Sequence, residues 1–242
     1  MPNLGVRKIY HLIKDALYRL DIKMGRDKLF DLCKELELTK TRKKRYKSGD
    51  DMLKFIAPNL LKNVEPIAPN VIWYTDITYL KYANKHAYLS LIIDHYSRKI
   101  IGWNLADTME TEESIKALNM AICNIGGKAD GVIHHSDRGS QYRSKEYITK
   151  LRDNGITQSM TDGGKPYQNA INERINGILK HEFGLKQTFI NWQSMVKFTR
   201  EGIDIYNNHR PHTSLKYQTP SHIYQNTASN NGKIMIKTVK LF

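Results

Sequence analysis

The stretch Ile72-Trp73-Tyr74-Thr75-Asp76-Ile77-Thr78-Tyr79-Leu80 decides the fold, because a single carboxylate stands inside a run of β-branched and aromatic residues. Residues of these types favour a strand, which we predict over residues 71–82. Two further apolar runs, at residues 87–94 and 99–105, follow after short turns. Three strands joined so closely predict an antiparallel meander that carries Asp76 on its first strand.

Helix and strand patterns alternate after this meander. This order predicts an α/β domain, to which we assign residues 70–225. The elements predicted after the meander are a helix at 111–124, a buried strand at 131–136, a helix at 144–154, a strand at 157–160, a helix through Glu173 to about 183, and a helix at about 192–208.

Three acids in this domain are candidates for one metal site. Asp76 lies on the first strand, Asp137 closes the buried strand Gly131-Val132-Ile133-His134-His135-Ser136-Asp137, and Glu173 follows after 35 intervening residues on a helix. Two strands and a helix can bring three side chains to one point, where carboxylates repel by about 1–4 kcal/mol per pair at 4 Å. They stay ionised together mainly when a cation lies among them, and Mg²⁺ prefers such hard oxygen ligands.

Composition indicates a globular protein with an anionic partner. The chain has 242 residues, a net charge of +14 and a pI near 9.6, and residues 1–64 hold 16 Lys and Arg against 8 Asp and Glu. This balance favours nucleic acid first and an anionic membrane second. Only Cys33 and Cys123 are present, so a reducing compartment fits. Without a membrane-length apolar stretch or a signal-peptide core, a cytoplasmic protein is predicted.

The front end predicts a small DNA-binding module. Helices at residues 7–20 and 26–38 around a glycine-containing turn are compatible with a helix-turn-helix, and equally with an ordinary helical hairpin. The linker Lys40-Thr41-Arg42-Lys43-Lys44-Arg45-Tyr46-Lys47 can track phosphates, which we favour over a merely solvated tail. We therefore assign residues 1–47 to DNA binding, 48–69 to a connector and 226–242 to a basic tail. The DNA contacts predicted here are Arg26, Lys28, Arg42, Lys43, Lys44 and Arg45.

Five stretches in the same order resemble one protein family, the second-frame (OrfB) subunit of insertion-sequence-three family transposases. The resemblance spans most of the chain and includes the family's spacing between the second and third acids. The stretches are Trp73-Tyr74-Thr75-Asp76-Ile77-Thr78-Tyr79, Asp94-His95-Tyr96-Ser97-Arg98-Lys99-Ile100-Ile101-Gly102-Trp103, His134-His135-Ser136-Asp137-Arg138-Gly139-Ser140-Gln141-Tyr142, Asn169-Ala170-Ile171-Asn172-Glu173-Arg174-Ile175-Asn176-Gly177-Ile178-Leu179-Lys180 and Tyr206-Asn207-Asn208-His209-Arg210-Pro211-His212.

The resemblance implies a fold and an activity. The fold is ribonuclease-H-like, as in the integrase catalytic core, with a mixed five-stranded sheet flanked by helices and a small helix-turn-helix-like domain in front. The activity is metal-dependent cleavage at the ends of the element, followed by strand transfer with the freed 3′-hydroxyl. Gln168 departs from the family, which commonly has an acid at that position.

The resemblance also implies cofactors and partners. Two Mg²⁺ ions, with Mn²⁺ as a substitute, would be held by Asp76 as the bridging ligand and by Asp137 and Glu173 on one ion each. The partners would be double-stranded DNA, both the terminal inverted repeats and the target, further copies of the chain in a synaptic complex, and the first-frame (OrfA) protein, separate or fused. The location would be the bacterial cytoplasm, at the nucleoid.

Several polar residues near the acids are further candidates for DNA contacts. Asn169, Glu173, Asn176 and Lys180 share one helix face at spacings of three and four residues, and a solvated polar stripe is the alternative. Arg210 belongs to a second basic patch, for which phosphate binding and structural capping remain equal. Asp94 is the most credible rival metal ligand, while His134 and His135 fit the core better. The predicted contacts in this region are Lys165, Asn169, Asn172, Asn176, Lys180 and Arg210.

Two other functions remain open. A ribonuclease-H-like nuclease would need the three acids but gives no reason for the helical front end. A domesticated or truncated non-catalytic DNA-binding protein would keep the basic front end, although three intact acids argue against a decayed site.

Overall fold

The computed structural model describes residues 6–36, 55–62, 64–162, 170–227 and 236–238. The chain divides into two compact units, residues 1–49 and 50–242. The helices and strands in chain order are α1 (Val6–Arg19), α2 (Arg26–Glu35), β1 (Val64–Pro66), β2 (Ile72–Tyr82), β3 (Lys85–Asp94), β4 (Ile100–Ala106), α3 (Thr111–Asn124), β5 (Ile133–Ser136), α4 (Lys145–Asp153), β6 (Thr157–Met160), α5 (Ala170–His181), β7 (Thr188–Phe189), α6 (Trp192–Asn208), α7 (Pro220–Thr227) and β8 (Ile236–Thr238).

The main sheet has the order β4-β3-β2-β5-β6. The β2–β3 and β3–β4 pairs are antiparallel, as the short turns predict, whereas β5 runs parallel to both β2 and β6. Strand β2 therefore lies in the middle, with hydrogen-bonded neighbours on both sides. The predicted mixed five-stranded sheet flanked by helices is confirmed.

Each face of this sheet has its own hydrophobic core. Side chains alternate along β2, so that Trp73 packs with α3 and α4 on one face, while Ile72 and Tyr74 pack with α5 and α6 on the other. By the same alternation Asp76 belongs to the face that α5 and α6 cover. The sheet thus presents this carboxylate to α5, the helix that carries Glu173.

Helix α3 lies very close to strand β4 at Gly102. A Cβ atom at this position would lie 2.3 Å from the carbonyl oxygen of Ala117 and 3.0 Å from the Cβ of Ala121. Because backbone atoms cannot yield as a flexible side chain can, only a glycine fits here without moving the helix.

The first unit contains the two predicted helices with a small core. Val6, Leu29 and Cys33 are buried in it. The apolar spacing along residues 26–38 predicts that Phe30 and Leu36 face inward, but they are 51% and 59% exposed. Two short helices bury only a narrow stripe of each other, which is the physical reason for this error.

Three short strands were not predicted. Strand β7 adds to β2 through residues 81 and 82, and β1 pairs antiparallel with β8. The segment assigned as a basic tail therefore includes a strand that hydrogen-bonds to the connector. None of the helices in the described part of the chain is long and apolar enough to span a membrane.

Candidate active site

Asp76 is a partly buried carboxylate near the middle of β2. It accepts a hydrogen bond from the side-chain amide of Asn176, between Nδ2 and Oδ2 at 2.8 Å. Burial, and to a smaller extent the negative charge of Asp137, raise the pKa of Asp76 to about 6. Three groups lower this pKa: the Ile77 backbone N–H, the Asn176 amide and the Lys180 ammonium.

Asp137 follows the last residue of β5 and is held by its own turn. Its Oδ1 accepts a hydrogen bond from the backbone N–H of Gly139 at 2.8 Å. A Cβ at Gly139 would lie 2.9 Å from the same Oδ1 and 2.4 Å from Nε2 of Gln141, so a larger residue here would displace one of these two side chains. The parallel pairing of β2 with β5 brings Asp137 beside Asp76.

Helix α5 is joined to β2 by two amides, one turn apart. Asn172 donates to the carbonyl oxygen of Thr75 at 3.0 Å, and Asn176 donates to Asp76. Both amides are buried. Burial lowers the pKa of Lys180, one turn further along the helix, and the charge of Asp76 partly offsets this effect. The helix thus places polar groups in register with the acid.

Glu173 is exposed on α5, next to the buried Asn172. No group of three His, Cys, Asp or Glu side chains within the described residues is close enough to hold a metal ion. The structure therefore brings together Asp76 and Asp137 and leaves Glu173 on the adjoining helix surface. That all three side chains hold one metal site stays a prediction.

Substitution Asn176→Ala tests how the first acid is held. We expect the pKa of Asp76 to rise above about 6, because the lost amide hydrogen bond favours the ionised form. The matched variant Asn172→Ala should destabilise the fold and leave this pKa nearly unchanged, since Asn172 donates to the backbone carbonyl of Thr75 and is not among the groups that act on the pKa of Asp76. An NMR titration of the Asp76 carboxyl carbon measures this pKa in both variants. An unchanged pKa in Asn176→Ala would contradict the assignment.

The rival acid and the two histidines have structural roles. Asp94 is fully buried and accepts hydrogen bonds from the backbone N–H groups of Asn70 and Ser97 at 2.7 and 2.8 Å. His134 lies 3.0 Å from the hydroxyl of Tyr147, and burial lowers its pKa to about 3. His135 contacts the hydroxyl of Ser159 at 2.9 Å. These groups stabilise the turn and the core beside the acids.

Comparison with known proteins places this domain in a family. Models of the integrase core domain match residues 66–166 and 154–220. The insertion element IS600 uncharacterized 31 kDa protein of Shigella sonnei is 36% identical over 202 residues, which are 82% of this chain and 74% of that protein. The chain belongs to the insertion-sequence transposases with an integrase core domain. It is thus a transposase that acts in DNA transposition and integration.

Two further relatives agree with this assignment of the transposase. A putative transposase for insertion sequence element IS986/IS6110 of Mycobacterium tuberculosis (strain ATCC 25177 / H37Ra) is 33% identical over 216 residues, covering 85% of this chain and 76% of that protein. An uncharacterized transposase-like protein of Haemophilus influenzae is 33% identical over 204 residues, covering 84% of this chain and 94% of that protein.

Solved structures confirm the fold of the transposase. The HTLV-2 integrase catalytic core domain in complex with magnesium superposes with a TM-score of 0.54 at 21% identity, over 66% of this chain and 99% of that one. A simian T-cell lymphotropic virus intasome in complex with a PP2A regulatory subunit superposes with a TM-score of 0.58 at 18% identity, over 91% of this chain and 74% of that one. The predicted ribonuclease-H-like integrase core is therefore confirmed.

The predicted DNA contacts of the transposase fall into distinct environments. Arg26 and Lys28 are exposed on α2, and Lys180 is half-buried beside Asp76. Asn172 is fully buried, so we remove it from the proposed DNA contacts, and Asn176 instead holds Asp76. The predicted contacts that lie outside the described residues are Arg42, Lys43, Lys44, Arg45, Lys165 and Asn169.

Arg210 has a structural partner in the transposase. Its guanidinium donates to both carboxylate oxygens of Glu182, from Nε at 2.7 Å and from Nη2 at 2.8 Å. Of the two roles left open by the sequence, this two-point contact favours the structural one, because it joins the segment after α6 to the end of α5.

The sequence reasoning missed the positioning role of the two amides of the transposase. Asn172 and Asn176 are one turn apart and flank Ile175 and Leu179 on the helical wheel of α5. Placing them on that apolar face would have indicated burial. The turn formed by Gly139 around Asp137 could have been read from the Asp-x-Gly spacing.

Proposed function

We propose that this transposase cleaves and joins DNA strands at a divalent-metal site held by Asp76, Asp137 and Glu173. The observation that carries the proposal is the closeness of two carboxylates, since the charge of Asp137 raises the pKa of Asp76. At neutral pH Asp76 is ionised in a partly desolvated place beside the carboxyl group of Asp137. Such a pair is stabilised by a cation.

The donor set suits Mg²⁺, with Mn²⁺ as a substitute. Carboxylate oxygens are the hard ligands that Mg²⁺ takes, and it keeps waters that phosphate oxygens can replace. Lys180 supplies one positive charge near Asp76, which does not offset two carboxylates. The related fold of the HTLV-2 integrase core, described in complex with magnesium, supports the same choice.

Glu173 is the third ligand in this proposal. It is exposed and on the same side of α5 as Lys180, so its flexible side chain can turn toward Asp76 while the two amides keep the helix in place. When bound, two Mg²⁺ ions would supply activation of a water or 3′-hydroxyl and would offset charge on the leaving oxygen.

The side chains themselves orient the reaction. Asn176 and the Ile77 N–H hold the Asp76 carboxylate, and the Gly139 N–H holds Asp137. The two carboxylates are therefore held in fixed orientations. Lys180 lies where its ammonium can contact a phosphate of the DNA strand that reaches these acids.

The fuller assembly is also part of the proposal. Cleavage at terminal inverted repeats and joining to a target need two DNA ends, which favours several copies of the chain in one synaptic complex. The basic linker at residues 40–47 and the exposed Arg26 and Lys28 would bind the end sequences. We further propose that the OrfA protein, separate or fused, contributes to this complex.

A strand-transfer assay tests the proposed function. Purified protein, terminal-repeat DNA and plasmid target would be incubated with Mg²⁺, with Mn²⁺ or with EDTA, with and without OrfA. We expect joined products in either metal and none in EDTA. The control is Asp137→Asn, which keeps a side chain that can accept from Gly139 but lacks the charge.

Other outcomes would favour the alternatives. Degradation of DNA without joined products would indicate a nuclease. Binding of terminal-repeat DNA without any cleavage, with OrfA present, would indicate a non-catalytic DNA-binding protein. Equal activity of Asp137→Asn and wild type would contradict the assignment of the acids.

A further inference from the structure

A cavity with a largely apolar lining lies on the opposite side of α5 from the acids. It has a volume of about 560 Å³ and is bounded by α5, by α6, by the turn that follows β3 and by the segment after α6. Sites for small molecules have volumes of about 300–1,000 Å³. On the α5 helical wheel, Arg174 and Ile178 face this cavity, while Glu173 and Lys180 face the other way.

The lining of this cavity is cationic on one side. Arg98 and Arg174 carry its positive charge, and none of its described lining residues is an acid. His212 also lines the cavity, but burial lowers its pKa to about 4, so it is neutral at pH 7. Arg174 makes no ion pair with any residue in the described part of the chain. Arg210 also lines the cavity, but its charge is balanced by Glu182. Glu65 and Asp94 act on Arg98 from outside the lining.

Two buried side-chain nitrogens beside this cavity have no hydrogen-bond partner within the described residues. Nη1 of Arg98 is inaccessible to water and makes no hydrogen bond, and the same holds for Nε2 of His212. His212 is only 7% exposed, and its ring packs edge-on against Tyr206 at 4.9 Å. Leaving such groups unsatisfied costs about 1–3 kcal/mol each, more for a charged group, so a side-chain movement that brings either nitrogen into contact with an acceptor in the cavity would be favourable.

The opposite wall is apolar. Ile171, Ile175 and Ile178 of α5 form it together with the ring of Tyr206. Ser214 is exposed at the cavity and adds a hydroxyl. A ligand with an anionic end and a flat or apolar body fits this division, and a phosphate is the anion that arginine forks recognise best.

We propose that this cavity binds one nucleotide, with its phosphate against Arg98, Arg174 and His212 and its base against the isoleucine wall. The nucleotide has two sources, a free nucleoside monophosphate or an unpaired nucleotide of a DNA strand. The choice of a nucleotide as the body rests on the proposed function, whereas the anion site rests on the cavity alone. The site is separate from the acids, so binding there needs no metal.

Binding of dAMP to the full chain in EDTA tests the proposal. The ring signal of His212, assigned with a His212→Gln variant, should shift saturably with dAMP, and inorganic phosphate should bind at least about fivefold more weakly. Arg174→Gln should weaken dAMP binding at least about tenfold, and Ser214→Trp, which fills the cavity without a change of charge, should do the same. Arg152→Gln, an exposed charge-matched control on α4, and Asp137→Asn should change it less than about twofold.

Further measurements distinguish the two sources of the nucleotide and define the results that would overturn the proposal. Displacement of dAMP by a short single-stranded oligonucleotide supports DNA as the source, and its absence supports a free nucleotide. Equal affinity for phosphate and dAMP would overturn the nucleotide assignment. No shift of His212, or an unchanged affinity in both Arg174→Gln and Ser214→Trp, would overturn the site. Because Asp137→Asn is expected to bind dAMP and to fail in strand transfer, the two proposals can fail independently.

Discussion

Asp76→Asn is expected to lower strand transfer at least about 10³-fold, which corresponds to about 4 kcal/mol of transition-state stabilisation. The amide keeps the size of the carboxylate and can still accept the hydrogen bond from Asn176. It lacks the charge that would hold a divalent cation in the proposed mechanism. Gel electrophoresis of the joined products formed in Mg²⁺ gives the ratio of the wild-type rate to the variant rate. Activity within tenfold of wild type would remove Asp76 from the catalytic site.

The same variant should be more stable than wild type without metal. The pKa of Asp76 is raised from 3.8 to about 6 in the fold, so its ionisation costs the folded state up to about 3 kcal/mol above pH 6. The contribution of Asp76 to the free energy of unfolding of the wild type should therefore fall as pH rises from about 4 to 6 and then stay level. In EDTA at pH 8 we expect Asp76→Asn to raise Tm by about 5 °C, and added Mg²⁺ to raise Tm of wild type only.

Asp94→Asn is the matched control for this effect. Asp94 accepts hydrogen bonds from two backbone N–H groups and from the hydroxyl of Ser97, so an amide NH₂ in its place would face donors. We expect the variant to lose about 1–3 kcal/mol of stability. Similar changes in Tm for both variants would contradict the distinction between a functional and a structural acid.

Gly102→Ala should destabilise the catalytic domain by about 3 kcal/mol or more, although it adds a single methyl group. The new Cβ would lie 2.3 Å from the carbonyl oxygen of Ala117, so α3 must move away from β4 and from the core around Leu118 and Ala121. Chemical denaturation followed by tryptophan fluorescence measures the loss, since Trp73 and Trp103 lie in or against the core.

Gly177→Ala provides the comparison within a helix. A Cβ at Gly177 meets no atom within 4 Å, and replacing glycine by alanine inside a helix stabilises by about 0.8–1 kcal/mol. The two substitutions thus make the same chemical change with opposite expected signs. A destabilisation of Gly102→Ala below 1 kcal/mol would show that α3 can shift without cost.

Local sequence patterns were sufficient for the large elements. Helix α3 was predicted with the same ends that the structure has, and β2 differs by one residue at its start. These elements are long, and their apolar periodicity is set by the face they bury. The closeness of Asp76 and Asp137 was predictable because Asp76 lies on one buried strand of the sheet and Asp137 directly follows another.

Features built from distant or very short segments could not be predicted. Strands β1, β7 and β8 have two or three residues each, too few for any periodicity. The cavity collects Arg98, Arg174 and His212 from three separate elements. The position of Glu173 depends on which face of α5 is buried, and the amides of Asn172 and Asn176 decide this by contacts with β2.

The central place of β2 has a consequence for engineering this enzyme. Asp76 pairs with Leu91 on β3, and the start of the same strand pairs with β5, so its backbone has no freedom to adjust. In the proposed mechanism, changes meant for a new DNA target belong on the surface of α5, where Gly177 has space for a larger side chain and His181 is exposed. Libraries that vary those positions and spare the strand should retain folded, active members.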